Sequence, residues 1–350
     1  MTYKHRRRTL PAIGFMAFFL ASLSGGGPSL VTGAAAAEKV KWTGVATGRG
    51  GGHWHLWEWI EKRIPEITNG EVEVEVTTYG EIGIGGTEMI RILKAGLVDI
   101  VDVNGGYVAG DWPVIEGTEL HGVTKSPEEL EAVYDAFLRN VVAPREDIMG
   151  GKVPASYYWN NTFCFTSFPV NSLEDLKGRR IRVNSANLAQ YMEALGAEPL
   201  QIPGPEVYNA LQKGVAEGGC FGPDRVGAWK LWEITPHMTD LGLSGSGGYI
   251  AVSRRSWEKL SENARQAILA AVPEMQKVAW AGGHWNNKHG VALAREKGMT
   301  VTIPAKPEWL PTFERISAEV VVPWWFERAG AEGKEAFKMH IAPITGHKID

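Results

Sequence analysis

Arg180 and Arg182 stand two residues apart in Arg179 to Val183, where Ile181 and Val183 alternate with them. Alternate residues of a strand point to one face, so this spacing predicts both guanidiniums on one side and the aliphatic pair on the other. A guanidinium grips a carboxylate through a planar two-bond fork that an ammonium cannot copy. Of the two, Arg182 lies at the carboxyl end of the predicted strand, where open α/β sheets hold their ligands. The same reasoning selects two earlier turns that follow predicted strands. They are Arg49 to Trp54, which contains His53, and Asn104 to Tyr107.

Other chemistries find less support. His53 and His55 are two apart on a predicted helix and share no face, which argues against a metal pair. The run Gly48 to Gly52 could bring backbone N–H groups near an anion, but it is not a dinucleotide fingerprint in register. Gly80 to Gly86 lacks the Gly-Lys-Ser/Thr ending of a nucleotide-binding loop. Cys164 and Cys220 have no metal-binding spacing and read as two buried thiols, although export would permit a disulfide. No Ser/His/Asp set and no activated cysteine with an evident partner emerges, so an enzyme is not expected, and no cofactor or metal site is assigned. With 36 Lys and Arg against 40 Asp and Glu, the net charge of −4 argues against a nucleic-acid partner. Fourteen tryptophans supply either core or a platform for an organic ligand.

These residues need a scaffold. Residues 1–37 read as a signal peptide: Lys4, Arg6, Arg7 and Arg8 are basic, Ile13 to Leu23 are apolar, and Ala34 to Ala37 offer a cleavage site. A periplasmic location follows. The remaining length exceeds one comfortable hydrophobic core and suggests two domains. Val40 to Val45 predicts a strand and His53 to Ile64 a helix. Val72, Val74 and Val76 alternate with Glu71, Glu73 and Glu75 as a half-buried strand. After a polar stretch and Ala155 to Phe168, the strand–helix rhythm repeats over Arg179 to Phe221. Leu241 to Val252 predicts a strand. A helical pattern then runs from Asn263 to Glu296, with Pro273 and Gly282-Gly283 expected to bend or split it. The fold class is α/β, with residues 38–157 plus about 246–285 as domain I and 158–245 plus about 286–350 as domain II.

Several separated segments then agree on one family. Leu176 to Val183, Leu195 to Pro199 and Glu206 to Gly218, with Ile90 to Ile100 and Asp240 to Ser244, resemble the solute-binding proteins of TRAP transporters, the DctP-like family. The resemblance implies two α/β domains around a hinged ligand cleft, with a long helix leaning on both. It implies a small organic acid, a mono- or dicarboxylate, as ligand and TRAP permease membrane subunits as partner. The family's carboxylate-clamping arginine falls on Arg182. Asn161 or Thr162, beside Trp159, falls where relatives place Gln or a second Arg, so a second charged clamp is missing there. Cys220 and Phe221 replace a Glu-Asn-Pro-like run. Phe221, with Trp229 further on, favours a ligand with an apolar or ring-containing body. A sensory protein feeding a membrane receptor is the alternative, and an extracytoplasmic enzyme on the same scaffold a more distant one.

Overall fold

The computed structural model describes residues 39–348 apart from Pro203; the predicted signal peptide, residues 1–37, lies outside them. The described strands form two sheets. The first contains β1 (Val40–Ala46), β2 (Val72–Thr78), β3 (Ile100–Asn104), β4 (Gly151–Asn161) and β10 (Gly245–Ser253), in the order β2-β1-β3-β10-β4. β1 is parallel to β2 and β3, whereas β10 is antiparallel to β3 and β4. Parallel neighbours need a crossover, and the helix Gly51–Ile67 supplies the first. It buries Leu56, Ile60 and Ile64 at four-residue spacing against the sheet. Val72, Val74 and Val76 face the core while Glu73 and Glu75 face water, as the alternation predicts.

The second sheet holds β5 (Phe163–Thr166), β6 (Arg180–Val183), β7 (Glu198–Gln201), β8 (Gly218–Phe221), β9 (His237–Thr239) and β11 (Thr300–Thr302). Its order is β11-β9-β5-β8-β6-β7, with β6 parallel to both neighbours and β5 antiparallel to both of its own. The chain passes from one sheet to the other at Thr162, between β4 and β5, and returns over residues 240–244. Tyr158 to Asn161, expected in the second domain, instead continue the β4 ladder against β10 in the first sheet. The predicted strand from Leu241 starts later, at Gly245, because the Asp240 carboxylate accepts the N–H of Gly242 at 2.9 Å and of Ala305 at 3.1 Å, turning the chain.

One helix of 35 residues, Glu262–Glu296, follows. Ser261 caps it by accepting the Ala264 N–H at 3.1 Å. Neither Pro273 nor Gly282-Gly283 splits it. Gly282 instead serves close packing: a Cβ there would lie 2.2 Å from the Gly52 carbonyl oxygen, so the two helices meet backbone to backbone. Further along, a Cβ at Gly290 would lie 2.3 Å from the Pro223 carbonyl oxygen, beyond β8. Glycines thus let this helix lean on both sheets. The C-terminal helix Val322–His340 returns to the first-sheet side, where Trp325 Nε1 donates to Pro113 O at 2.8 Å and Arg328 pairs with buried Glu116 at 2.9 Å. Helical periodicity cannot show which body a helix joins, and this one packs on residues expected in domain I.

Gly282→Ala gains about 1 kcal/mol of helix propensity but must push two backbones apart, which costs roughly 1–3 kcal/mol or more. A net loss of stability, read as a lower urea midpoint at unchanged slope, is the expected result.

Candidate functional site

β6 places Arg182 at its end, and the residue is only 7% exposed. Its Nε donates to the Ile202 carbonyl at 3.0 Å and its Nη1 to the Cys220 carbonyl at 3.3 Å. Among the described residues no carboxylate lies within ion-pair distance of it. Burial, with the nearby Arg225 charge adding, pushes its pKa down to about 10. That shift corresponds to an unfavourable charge burial on the order of 3 kcal/mol. Arg180, two residues earlier, is exposed, and its guanidinium donates to the carbonyls of Val215 and Gly214 and pairs with Glu217. One arginine of the predicted pair is therefore structural and solvated; the other is buried, with no carboxylate partner among the described residues.

Aromatic rings surround this charge. Phe221, at the end of β8, stacks on Phe165 with centroids 4.7 Å apart and meets Trp229 edge-on at 5.2 Å. Trp229 in turn lies under the Arg225 guanidinium at 5.4 Å, and Trp159 of the first sheet approaches the same guanidinium at 6.0 Å. Arg225 is half-exposed and its ion-pair partner is the adjacent Asp224, at 3.3 Å. Tyr107 is close enough to Arg182 to act on its ionisation. The set can bind an anion and lay a flat or apolar body against rings.

Some predicted site residues belong elsewhere. Cys220 turns its thiol into the core, with Sγ 3.8 Å from Met192 Sδ, and offers the site only its carbonyl, because adjacent strand residues face opposite ways. Asn161 is held by the long helix: its N–H donates to Asn287 Oδ1 at 2.8 Å, and its Oδ1 accepts the Tyr158 hydroxyl at 2.5 Å. Asn104 caps the following turn through Gly106 N–H at 2.9 Å and donates to Gly247 O at 2.8 Å and Glu119 Oε1 at 3.1 Å. Thr162 is buried at the crossing between the sheets. The glycine-rich turn is no open anion cradle either, for Asn286 Oδ1 accepts the Gly52 N–H at 2.7 Å.

His53 is buried between the rings of Tyr157 and Trp159, at 4.7 and 4.5 Å, with Nε2 2.5 Å from Asp102 Oδ2. Asp102 also accepts Trp57 Nε1 at 2.9 Å and the Thr47 hydroxyl at 2.6 Å. His53 thus fixes the Trp159 wall from behind. Arg225 was missed by sequence reasoning, although it follows β8 just as the strand-end rule requires. A groove of about 820 Å³ lies elsewhere, between the helix Pro127–Phe137 and the long helix, lined by Leu138, Val153, Val272 and Trp280 and by none of these arginines.

Two sheets, with aromatic walls where their strand ends meet and a buried cation lacking a carboxylate partner among the described residues, have the fold of a solute-binding protein. The chain belongs to the bacterial extracellular solute-binding protein family 7, the DctP family, whose pattern matches residues 54–321. It is 25% identical to the C4-dicarboxylate-binding periplasmic protein DctP of Rhodobacter capsulatus over 81% of this chain and 85% of that one. Its fold matches an extracytoplasmic solute receptor of Bordetella pertussis that binds pyroglutamic acid, at 23% identity and TM-score 0.77, covering 85% of this chain and 98% of that one. A TRAP periplasmic solute-binding protein from Desulfovibrio salexigens with bound orotic acid superimposes with TM-score 0.78 at 21% identity, covering 87% and 100%. The family consists of solute-binding proteins, and the relatives are periplasmic.

Glu119 generates a pH prediction. Its carboxylate accepts Gly247 N–H and Tyr134 OH, both at 2.9 Å, yet burial pushes its pKa up to about 7. An acid whose pKa is raised by folding stabilises the fold at low pH, and that contribution is lost as pH rises from the ordinary carboxylate value through about 7. Glu119→Gln should remove a fall of roughly 2 kcal/mol between pH 5 and 8, measured as the difference between wild-type and variant urea midpoints across that range.

Proposed function

We propose that the mature protein captures a small organic acid in the periplasm and delivers it to the membrane subunits of a TRAP-type permease. The observation that carries this is the buried Arg182 guanidinium, held by two carbonyls and lacking a carboxylate among the described residues. A carboxylate ligand would supply the missing counter-charge in a low-dielectric site, where such a pair is strong. Relatives that bind a C4-dicarboxylate, pyroglutamic acid and orotic acid support the ligand class. The acid's body lies against Phe221, Trp159 and Trp229, with Arg225 facing its far end. Residues 1–37 act as the export signal. The lobes divide at Thr162 and residues 240–244 and close over the ligand; no catalytic step is involved.

A thermal-shift screen of organic acids identifies the ligand, because a compound that binds only the folded state raises its melting point. With that ligand, Arg182→Ala and Arg182→Lys should each weaken binding by about 3–5 kcal/mol in calorimetry while the protein stays folded. Unchanged affinity in folded Arg182→Ala would remove the reading. Arg225→Gln, at a more exposed position, should cost about 1 kcal/mol, and more for acids with a second negative group than for monocarboxylates.

A further inference from the structure

Cys164 of β5 and Cys220 of β8 face each other directly in the antiparallel ladder, flanked by the pairs Phe163–Phe221 and Phe165–Gly219. Residues so opposed have Cα atoms about 4.5 or 5.5 Å apart, and both values lie within the roughly 4.4–6.8 Å that a disulfide spans. Opposed residues also share a face. Both side chains enter one core region with Ile181, Val183 and Met192, whereas Phe163, Phe165 and Phe221 pack on the other side. The Cys164 thiol is close enough to raise the pKa of the Cys220 thiol, and both are free thiols in the structure. The register thus places the pair within the Cα span of a disulfide, and the periplasm, where the relatives reside, is a compartment in which disulfides persist.

We propose that Cys164 and Cys220 are joined by a cross-strand disulfide in the exported protein. In forming it, the two thiols lose two protons and two electrons as one S–S bond is made. A disulfide-bearing oxidant takes up those electrons and protons, and its own S–S bond breaks to give two thiols by way of a mixed disulfide. Burial raises the Cys220 thiol well above its ordinary pKa, which leaves little thiolate in the folded state. The bond therefore closes during folding, before β5 and β8 dock, and docking then shields it from reductants. It ties the first strand after the Thr162 crossing to the strand whose Cys220 carbonyl holds Arg182. The inference rests on strand register and does not depend on which ligand is bound.

The test is a thiol count on the full chain, exported with its own leader by a bacterial host. Cells are quenched in acid, and the protein is denatured and alkylated before any reductant is added. Neither cysteine should react, both should react after dithiothreitol, and peptide mapping should recover one fragment in which Cys164 and Cys220 are linked. Reduced protein refolded with oxidised glutathione should give the same result if export in the host is poor. Reduction should lower the wild-type melting temperature by about 5 °C, with no response in the doubly substituted Cys164→Ser, Cys220→Ser protein. Two alkylated thiols before reduction, in both preparations, would overturn the proposal, as would a disulfide-linked dimer on a non-reducing gel.

Discussion

The guanidinium of Arg182 sits in the second sheet with two backbone carbonyls for company, and much of the molecule is arranged around that fact. Carbonyl dipoles offset part of the desolvation of a buried cation, but they carry no net charge. The fold therefore holds an electrostatic deficit that a bound anion would relieve. It tolerates the deficit because β6 lies between β7 and β8, so the carbonyl of Cys220 and that of Ile202, just past β7, are delivered by neighbouring strands. Gly219, opposite Arg182 in the ladder, contributes too: a Cβ there would crowd Phe221 at 2.7 Å and the Arg182 Cβ at 3.3 Å.

Around this charge the two sheets make unequal contributions. The second brings the fixed cation, the Phe221 ring and Arg225. The first brings Trp159, backed by His53 and the Asp102 hydrogen bonds. Arg182 is immobilised from two sides, so little of its rotamer freedom remains to be lost on binding. Arg225 is half-exposed and tied to its own neighbour Asp224, so it retains freedom and is screened by water. Under the proposed function, such an arrangement would set affinity mainly through Arg182 and leave selectivity to Arg225 and the rings.

The difference between what was legible in the sequence and what was not follows from the range of each signal. Arg182 and Phe221 lie at strand ends, and both the strands and their ends are local patterns; Arg225 obeys the same rule one turn later and could have been found by extending it. The thiol of Cys220 lies in the core, and naming a strand end does not settle which way each of two adjacent residues faces. Asn104 and Asn161 are polar residues at cleft-like positions, but their amides are spent on Gly247, Glu119, Asn287 and Tyr158. Those partners are distant in sequence, and no local pattern announces them. Likewise Gly282 reads as a helix breaker until Gly52, far away in the chain, is seen to occupy the space a side chain would need.

The long helix turns these separate observations into one constraint. On the first sheet it is hydrogen-bonded: Asn286 accepts the Gly52 N–H and donates to the Trp159 carbonyl at 2.9 Å, and Asn287 reaches Tyr158 and Asn161. From Gly290 onward its contacts change: Gly290 packs on Pro223, and Ala294 enters the second hydrophobic cluster with Phe221 and Val226. The change of attachment falls between Asn287 and Gly290, less than one helical turn. The strand passage at Thr162, the return at residues 240–244 and the stretch from β11 to the C-terminal helix Val322–His340 also connect the two sides. The two bodies are therefore joined by four links, and the Trp159 ring stands beside two of them. A change in the angle between the sheets must move Trp159 relative to Arg225, so the contact surface offered to a ligand and the posture of the molecule are mechanically the same variable.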